Sequence, residues 1–197
     1  MSQTYVIKVS ASVQETVSAK DKRKKKIVLT GIVPEDEQKE ILQDQLEQRG
    51  WEEEEGSDGK RWRRQRGDVT ETLDLDDMSV EAEVGQEKTL ERNRTIVVRG
   101  DRDFDDVEER RKKEQRELQD SIAITEQEKQ QAEKVMQREI AQKLDDTEDE
   151  RNKELNEIVR DVYAESLKRK AGRLGSVTEI SEGQEGEDYE LVIRITE

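Results

Sequence analysis

The run "ELQDSIAITEQEKQQAEKVMQREIAQKL", residues 117–144, decides how this chain is read. It lies within Asp101–Ala171, a segment dense in good helix formers and without a glycine or a proline. Apolar residues recur through Leu118, Ile122, Ala132, Met136, Ile140, Leu144, Leu155, Ile158 and Val162, and a second row joins them at Tyr163 and Leu167. Their mean step of about 3.67 residues is nearer an eleven-residue repeat than a heptad, which favours straight pairing over a left-handed supercoil. Asp101, Asp103, Asp105 and Asp106 crowd the start, and Lys168, Arg169, Lys170 and Arg173 crowd the end. Both signs complement a helix dipole. The pattern predicts one continuous helical arm. Its weak place is "LDDTEDERNKEL", residues 144–155, where Thr147 and Glu150 have the spacing of a capping box that would fold the arm into a helical hairpin.

Outward from the arm, the hydrophobic period changes from 3.6 to 2. Tyr5, Ile7, Val9, Ala11 and Val13 alternate over residues 4–13, as in a half-buried strand. "KDKRKKK", Lys20–Lys26, follows and reads as an exposed loop before a second strand at 27–33. Pro34, the acids after it, the face made by Ile41, Leu42 and Leu46, and Gly50 outline a short helix. "GWEEEEGSDGKRWRRQRGDV", residues 50–69, has hairpin-turn residues from Gly56 to Gly59. With the turn centred on Ser57 and Asp58, Glu52 faces Arg63 and Glu53 faces Trp62, so the acidic and basic arms neutralise each other. Trp51 and Trp62 then share one face and read as packing residues. A second hairpin is expected over 69–84 with Asp76 and Asp77 near its turn, a short strand at 96–98, and a closing hairpin after Gly175.

The fold class expected is α+β: a small mixed or antiparallel sheet with one short helix, a long charged arm and a C-terminal β-hairpin. The domains expected are a β-rich globular part over 1–100, the arm over 101–172 with its weak point near 145–149, and a hairpin over 173–197 packed on the sheet.

Composition narrows function by exclusion. Charged residues make up 44%, hydrophobic ones 29% and aromatics 3%, and the net charge is -15. This polarity suits a solvent-bathed helix more than a large core. Neither Cys nor His occurs, which removes thiolate nucleophiles, His-based triads and the usual zinc sites. No apolar run approaches the length of a membrane span, and the first residues lack signal-peptide character, so a cytoplasmic protein is expected. Carboxylates at Asp101, Asp103 and Asp105 imitate half a calcium loop, but Asp106 stands where its turn needs Gly and Lys112 where it needs Glu. They read as a helix cap. Few aromatics remain to build the apolar pocket a catalytic carboxyl requires, so no enzyme, cofactor or metal is expected.

Two features point to binding. The helical stripe of Leu118, Ile122, Met136, Ile140, Leu144, Leu155, Ile158 and Val162 offers a seam for a second copy or a partner helix, because a small sheet cannot cover so long an arm. Its alternative is packing against the chain's own sheet. Lys20, Lys22, Arg23, Lys24, Lys25 and Lys26 form a patch for a polyanion or an acidic partner. A nucleic-acid-associated protein using 20–26 and 60–66 is the second reading, disfavoured by the overall negative charge.

Four stretches carry a resemblance: "SQTYVIKVSASVQETV" (2–17), "VPEDEQKEILQDQLEQRGWE" (33–52), "GDVTETLDLDDMSVEAEV" (67–84) and "ESLKRKAGRLGSVTEISEGQ" (165–184). Together they resemble the small accessory "X" domains of FtsH ternary systems, found in bacterial conflict-type gene clusters. The resemblance implies work alongside an FtsH-type AAA+ ATPase, with von Willebrand A-type and MoxR-type ATPase partners, and brings no catalytic residue. The tract Lys20–Lys26 belongs to no pattern of that group. The function expected is therefore a non-catalytic adaptor.

Overall fold

The computed structural model describes residues 4–101, 106–185 and 188–196. Its elements in chain order are β1 (Thr4–Lys26), α1 (Glu35–Gln48), β2 (Glu52–Glu53), β3 (Arg61–Arg66), β4 (Val69–Asp74), β5 (Ser79–Asp101), α2 (Val107–Ile122), α3 (Glu126–Asp146), α4 (Glu148–Leu174), β6 (Ser176–Glu185) and β7 (Asp188–Thr196). The class is α+β, as the change of period predicts. β1 to β5 form one antiparallel sheet in the order β1-β5-β4-β3-β2, and β6 and β7 form a second, two-stranded sheet.

The chain divides into two compact units: Met1–Asp21 with Gly85–Ala141, and Lys22–Val84 with Gln142–Glu197. These cut across the sequence segments, because β1, β5 and α3 each contribute to both. In the first unit Val9 and Ala11 pack with Leu118 and Ile122 of α2, flanked by Val13 and Ile96. The Tyr5 ring lies over Gly100, where an added Cβ would come within 2.3 Å of it. In the second unit Ile41, Leu42 and Leu46 of α1 meet Trp62 and Leu73 from the sheet, Trp51 and Leu75 beside it, and Ile158 and Val162 of α4. An Arg49–Asp161 ion pair ties the end of α1 to α4, and Thr30 donates its backbone N–H to the Tyr163 hydroxyl at 2.8 Å.

Three expectations change. First, β1 does not stop at Val13: it continues through Lys26, and 27–33 is not a strand. The inward alternation persists through Val17, Ala19 and Ile27, all buried, with Arg23 and Lys25 on the same side and Lys20, Lys22, Lys24 and Lys26 on the other. Likewise the short strand expected at 96–98 is part of a 23-residue β5.

Second, the arm is three helices. α2 ends at Ile122 and α3 begins at Glu126, so a break falls inside the stretch quoted first. Thr125 and Glu128 form a reciprocal capping box there: the Thr125 backbone and hydroxyl both donate to Glu128 Oε2, and the Glu128 N–H donates to Thr125 Oγ1 at 3.3 Å. The other break does fall at Thr147, but not through a cap. The Thr147 hydroxyl donates back to the carbonyls of Lys143 and Leu144, and Arg151 donates to Leu144 and Thr147. At the start of α2, Asp106 caps by accepting from Glu108 and Glu109 N–H, whereas Asp103 and Asp105 lie outside the described residues.

Third, the strands of the closing hairpin pair with each other as a separate two-stranded sheet. It seats on α4, with Lys168 paired to Glu182 at 2.6 Å and the Arg160 guanidinium 5.1 Å from the Tyr189 ring.

Candidate functional site

The apolar stripe is core. Leu118, Ile122, Met136, Ile140, Leu144, Ile158 and Val162 are all buried within this chain, and Leu155 packs against the second unit's cluster. The seam expected for a second copy is therefore covered from within. The premise of a small sheet fails, since β1 and β5 each run for 23 residues instead of about a third or a half of that.

The basic tract is largely paired. On the outward side of β1, Lys22 donates to Glu81 at 3.1 Å and Lys24 to Asp77 at 2.9 Å. On the inward side Arg23 lies 3.6 Å from Asp145, and Lys25 donates to Asn152 at 2.7 Å. Lys20 and Lys26 are exposed, like the rest of the tract's cations. A strand that alternates its cations between two acid-bearing neighbours presents less free charge than a loop of the same composition.

"KRWRRQR", Lys60–Arg66, splits by the same period. The expected register is observed, with Glu52 opposite Arg63 and Glu53 opposite Trp62. Arg61 and Arg63 face outward, and Arg61 meets Asp74 at 3.3 Å. Trp62, Arg64 and Arg66 face inward. Across the sheet Arg64 lies opposite Glu71, and Glu71 opposite Ala82. The Arg64 guanidinium stacks 4.5 Å from the Trp51 ring centroid. This row, Trp51–Arg64–Glu71–Ala82, forms the floor of the candidate site.

α4 supplies the cover. Glu154 accepts from both Arg64 and Arg66, and Glu71 accepts from Arg64, so two guanidiniums and two carboxylates make a neutral quartet. Glu71 is 2% exposed and the Arg64 side chain 14%. Desolvation pushes the Glu154 carboxyl up, but hydrogen bonds and charge from Arg64 and then Arg66 outweigh it and hold the group below its usual range. Desolvation likewise opposes the charge on Arg64, and its two carboxylate partners more than restore it. A carboxylate held ionised in this way, as Glu154 is, is a poor proton donor near neutral pH.

Beside the quartet is a cavity of about 240 Å³, lined by Arg23, Lys24, Lys25, Trp51, Arg64, Glu71, Val80, Glu148, Arg151, Asn152, Glu154, Leu155 and Ile158. Two side-chain atoms of residues that line it are fully buried without a hydrogen-bond partner, Trp51 Nε1 and Glu71 Oε1, the latter 3.8 Å from Arg66 Nε. Leaving such an atom unpaired costs about 1–3 kcal/mol. Ala82, 1% exposed, continues the row on β5. None of this was predicted as a site. The available signal was the inward alternation of Arg64 with Glu71, which the hairpin register already contains.

The fold and this site define an α+β domain whose pocket lies between a charged sheet face and a helix, with its acids locked to arginines. The chain belongs to the family FtsH ternary system domain X5, whose model matches residues 1–196. No curated protein and no solved structure matches it. Among the described residues no helix is long and apolar enough to cross a membrane.

Proposed function

We propose that this protein is a non-catalytic adaptor that serves an FtsH-type AAA+ ATPase system in bacterial conflict or defence, binding the ATPase itself or a von Willebrand A-type protein. The observation that carries this reading is the family match over residues 1–196, which makes nearly the whole chain one domain of a multi-component system. The ionised, arginine-bound state of Glu154 suits recognition better than proton transfer. With the helical stripe buried, the contact surface has to lie elsewhere. The C-terminal hairpin supplies one: Val177 pairs with Ile195 and Ile180 with Ile193, and although the same face meets α4 through Glu182 and Tyr189, Val177, Ile180 and Ile195 remain exposed on it.

Co-purification from a host that encodes the whole system tests the proposal. A tagged full chain should retain the FtsH-type ATPase or the von Willebrand A-type protein, identified by mass spectrometry, and Ile180→Asp with Ile195→Asp should release it. Recovery of the chain without either protein, at low salt and after cross-linking, would overturn the reading.

A further inference from the structure

We propose that β7 pairs antiparallel with β7 of a second copy of this chain, across a two-fold axis at Val192, and so joins two C-terminal hairpins into one four-stranded sheet. The inference goes beyond the adaptor reading and does not depend on it.

An open edge is the first ground. The hairpin is a sheet of two strands, so each strand has one side unpaired, and among the described residues no backbone hydrogen bond reaches β7 from another element. Such an edge is a template for a further strand, and two strands alone are marginal in water. The two edges differ. β6 is interrupted by a bulge between Val177 and Glu179 and by Gly183, and it carries three glutamates and no cation. β7, "DYELVIRIT", has no bulge, glycine, proline or lysine to close it.

Charge and side-chain pattern select the occupant. β7 has nine residues with Val192 at its midpoint, so a two-fold axis there overlaps the strand along its full length. Glu190 then stands opposite the partner's Arg194, and Arg194 opposite the partner's Glu190. Within its own hairpin Glu190 has only Gly183 across from it and, among the described residues, no ion pair. Val192 is 41% exposed opposite Ser181 in its own hairpin, and across the axis it meets the partner's Val192. On the other face Leu191 meets the partner's Ile193, and exposed Ile195 meets the partner's Tyr189. Opposite charges and aromatic–β-branched pairs directly across two strands are the pairs that stabilise a sheet. A slip of two residues, the smallest that keeps the faces matched, sets Glu190 against the partner's Val192 or the partner's Thr196 and loses both ion pairs.

Light scattering of the full chain from micromolar to millimolar concentration tests this, and the mass should rise towards twice 23.0 kDa. Glu190→Arg meets only Gly183 in its own hairpin, yet it sets like charges opposite each other at two symmetric places. It should raise the dimer dissociation constant at least about 10-fold. Arg194→Glu with Glu179→Arg keeps the ion pair inside the hairpin in reversed order and should weaken the dimer to a similar degree. An equimolar mixture of these two variants should restore the dimer, because each supplies the charge that the other lacks. That rescue separates an edge contact from a folding defect. A chain that stays monomeric at every concentration, a dimer indifferent to Glu190→Arg, or a mixture that associates no better than its components overturns the proposal. The mass is read on the isolated chain, so a monomer that still captures the ATPase sinks this pairing and leaves the adaptor reading standing.

Discussion

Arg64 holds more of the site together than any other side chain, since it stacks on Trp51 and joins Glu71 to Glu154. Truncating one member of a buried ion pair strands the other charge, so Arg64→Met should cost about 3–5 kcal/mol in urea unfolding. Arg64→Met combined with Glu71→Met should cost clearly less than the sum of the single changes, because each side chain is a burden only without its partner. Additive losses would show that the pair does not couple. Glu154 sets a pH dependence. Its folded pKa lies below its usual 4.5, so it adds stability above that pH, and the contribution is lost as pH falls through the folded value. Glu128 is the sharper case. Its bonds from Thr125 backbone, Arg92 and the Thr125 hydroxyl bring it from 4.5 to about 2. An NMR titration should find the Glu128 carboxyl still ionised at pH 3.5, and a midpoint near 4.5 would contradict the capping box.

At the scale of elements, the two interruptions of the helical run differ in cause and so in sensitivity. Thr125→Ala removes a capping box and should lower stability by about 0.5–2 kcal/mol in denaturant unfolding. Thr147→Ala removes only a hydroxyl bonded back into its own helix, which does little for stability, so a change within about 0.5 kcal/mol is expected. A larger loss at Thr147 than at Thr125 would reverse the assignment. Both sites carry the same S/T-x-x-E spacing, which is why the sequence could not rank them: "TEQE" at 125–128 and "TEDE" at 147–150 differ only in what surrounds them. Strand length was hidden for a related reason. Lys20–Lys26 reads as loop by composition, yet the strand persists because alternate positions keep an inward row and the cations find Glu81 and Asp77 on neighbouring chain. Where opposed charges also fixed the register, as in Glu52 with Arg63, the pattern was legible at single-residue resolution.

At the scale of the molecule, class, helix content and the closing hairpin follow from period and turn residues, while the site does not. A pocket is made by what neighbouring elements fail to fill, and its walls here come from segments as distant in the chain as Arg23, Trp51, Glu71 and Glu154, which a one-dimensional pattern does not bring together. The stripe shows the converse: an apolar row at helical spacing reads equally as seam or core, and here its residues are buried within the chain. Ile140, fully buried, provides the check: Ile140→Ala should cost about 2–5 kcal/mol as a core truncation and leave the mass by light scattering unchanged. A loss of mass with little loss of stability would restore the seam. The proposed function is that of an adaptor in an FtsH ternary system. The most direct measurement is affinity capture of the tagged chain from cells expressing the complete system, with bound proteins quantified by mass spectrometry. The account predicts stoichiometric recovery of the FtsH-type ATPase or its von Willebrand A-type companion, lost on Ile180→Asp with Ile195→Asp. Recovery of the chain alone, equal for wild type and variant, would contradict it.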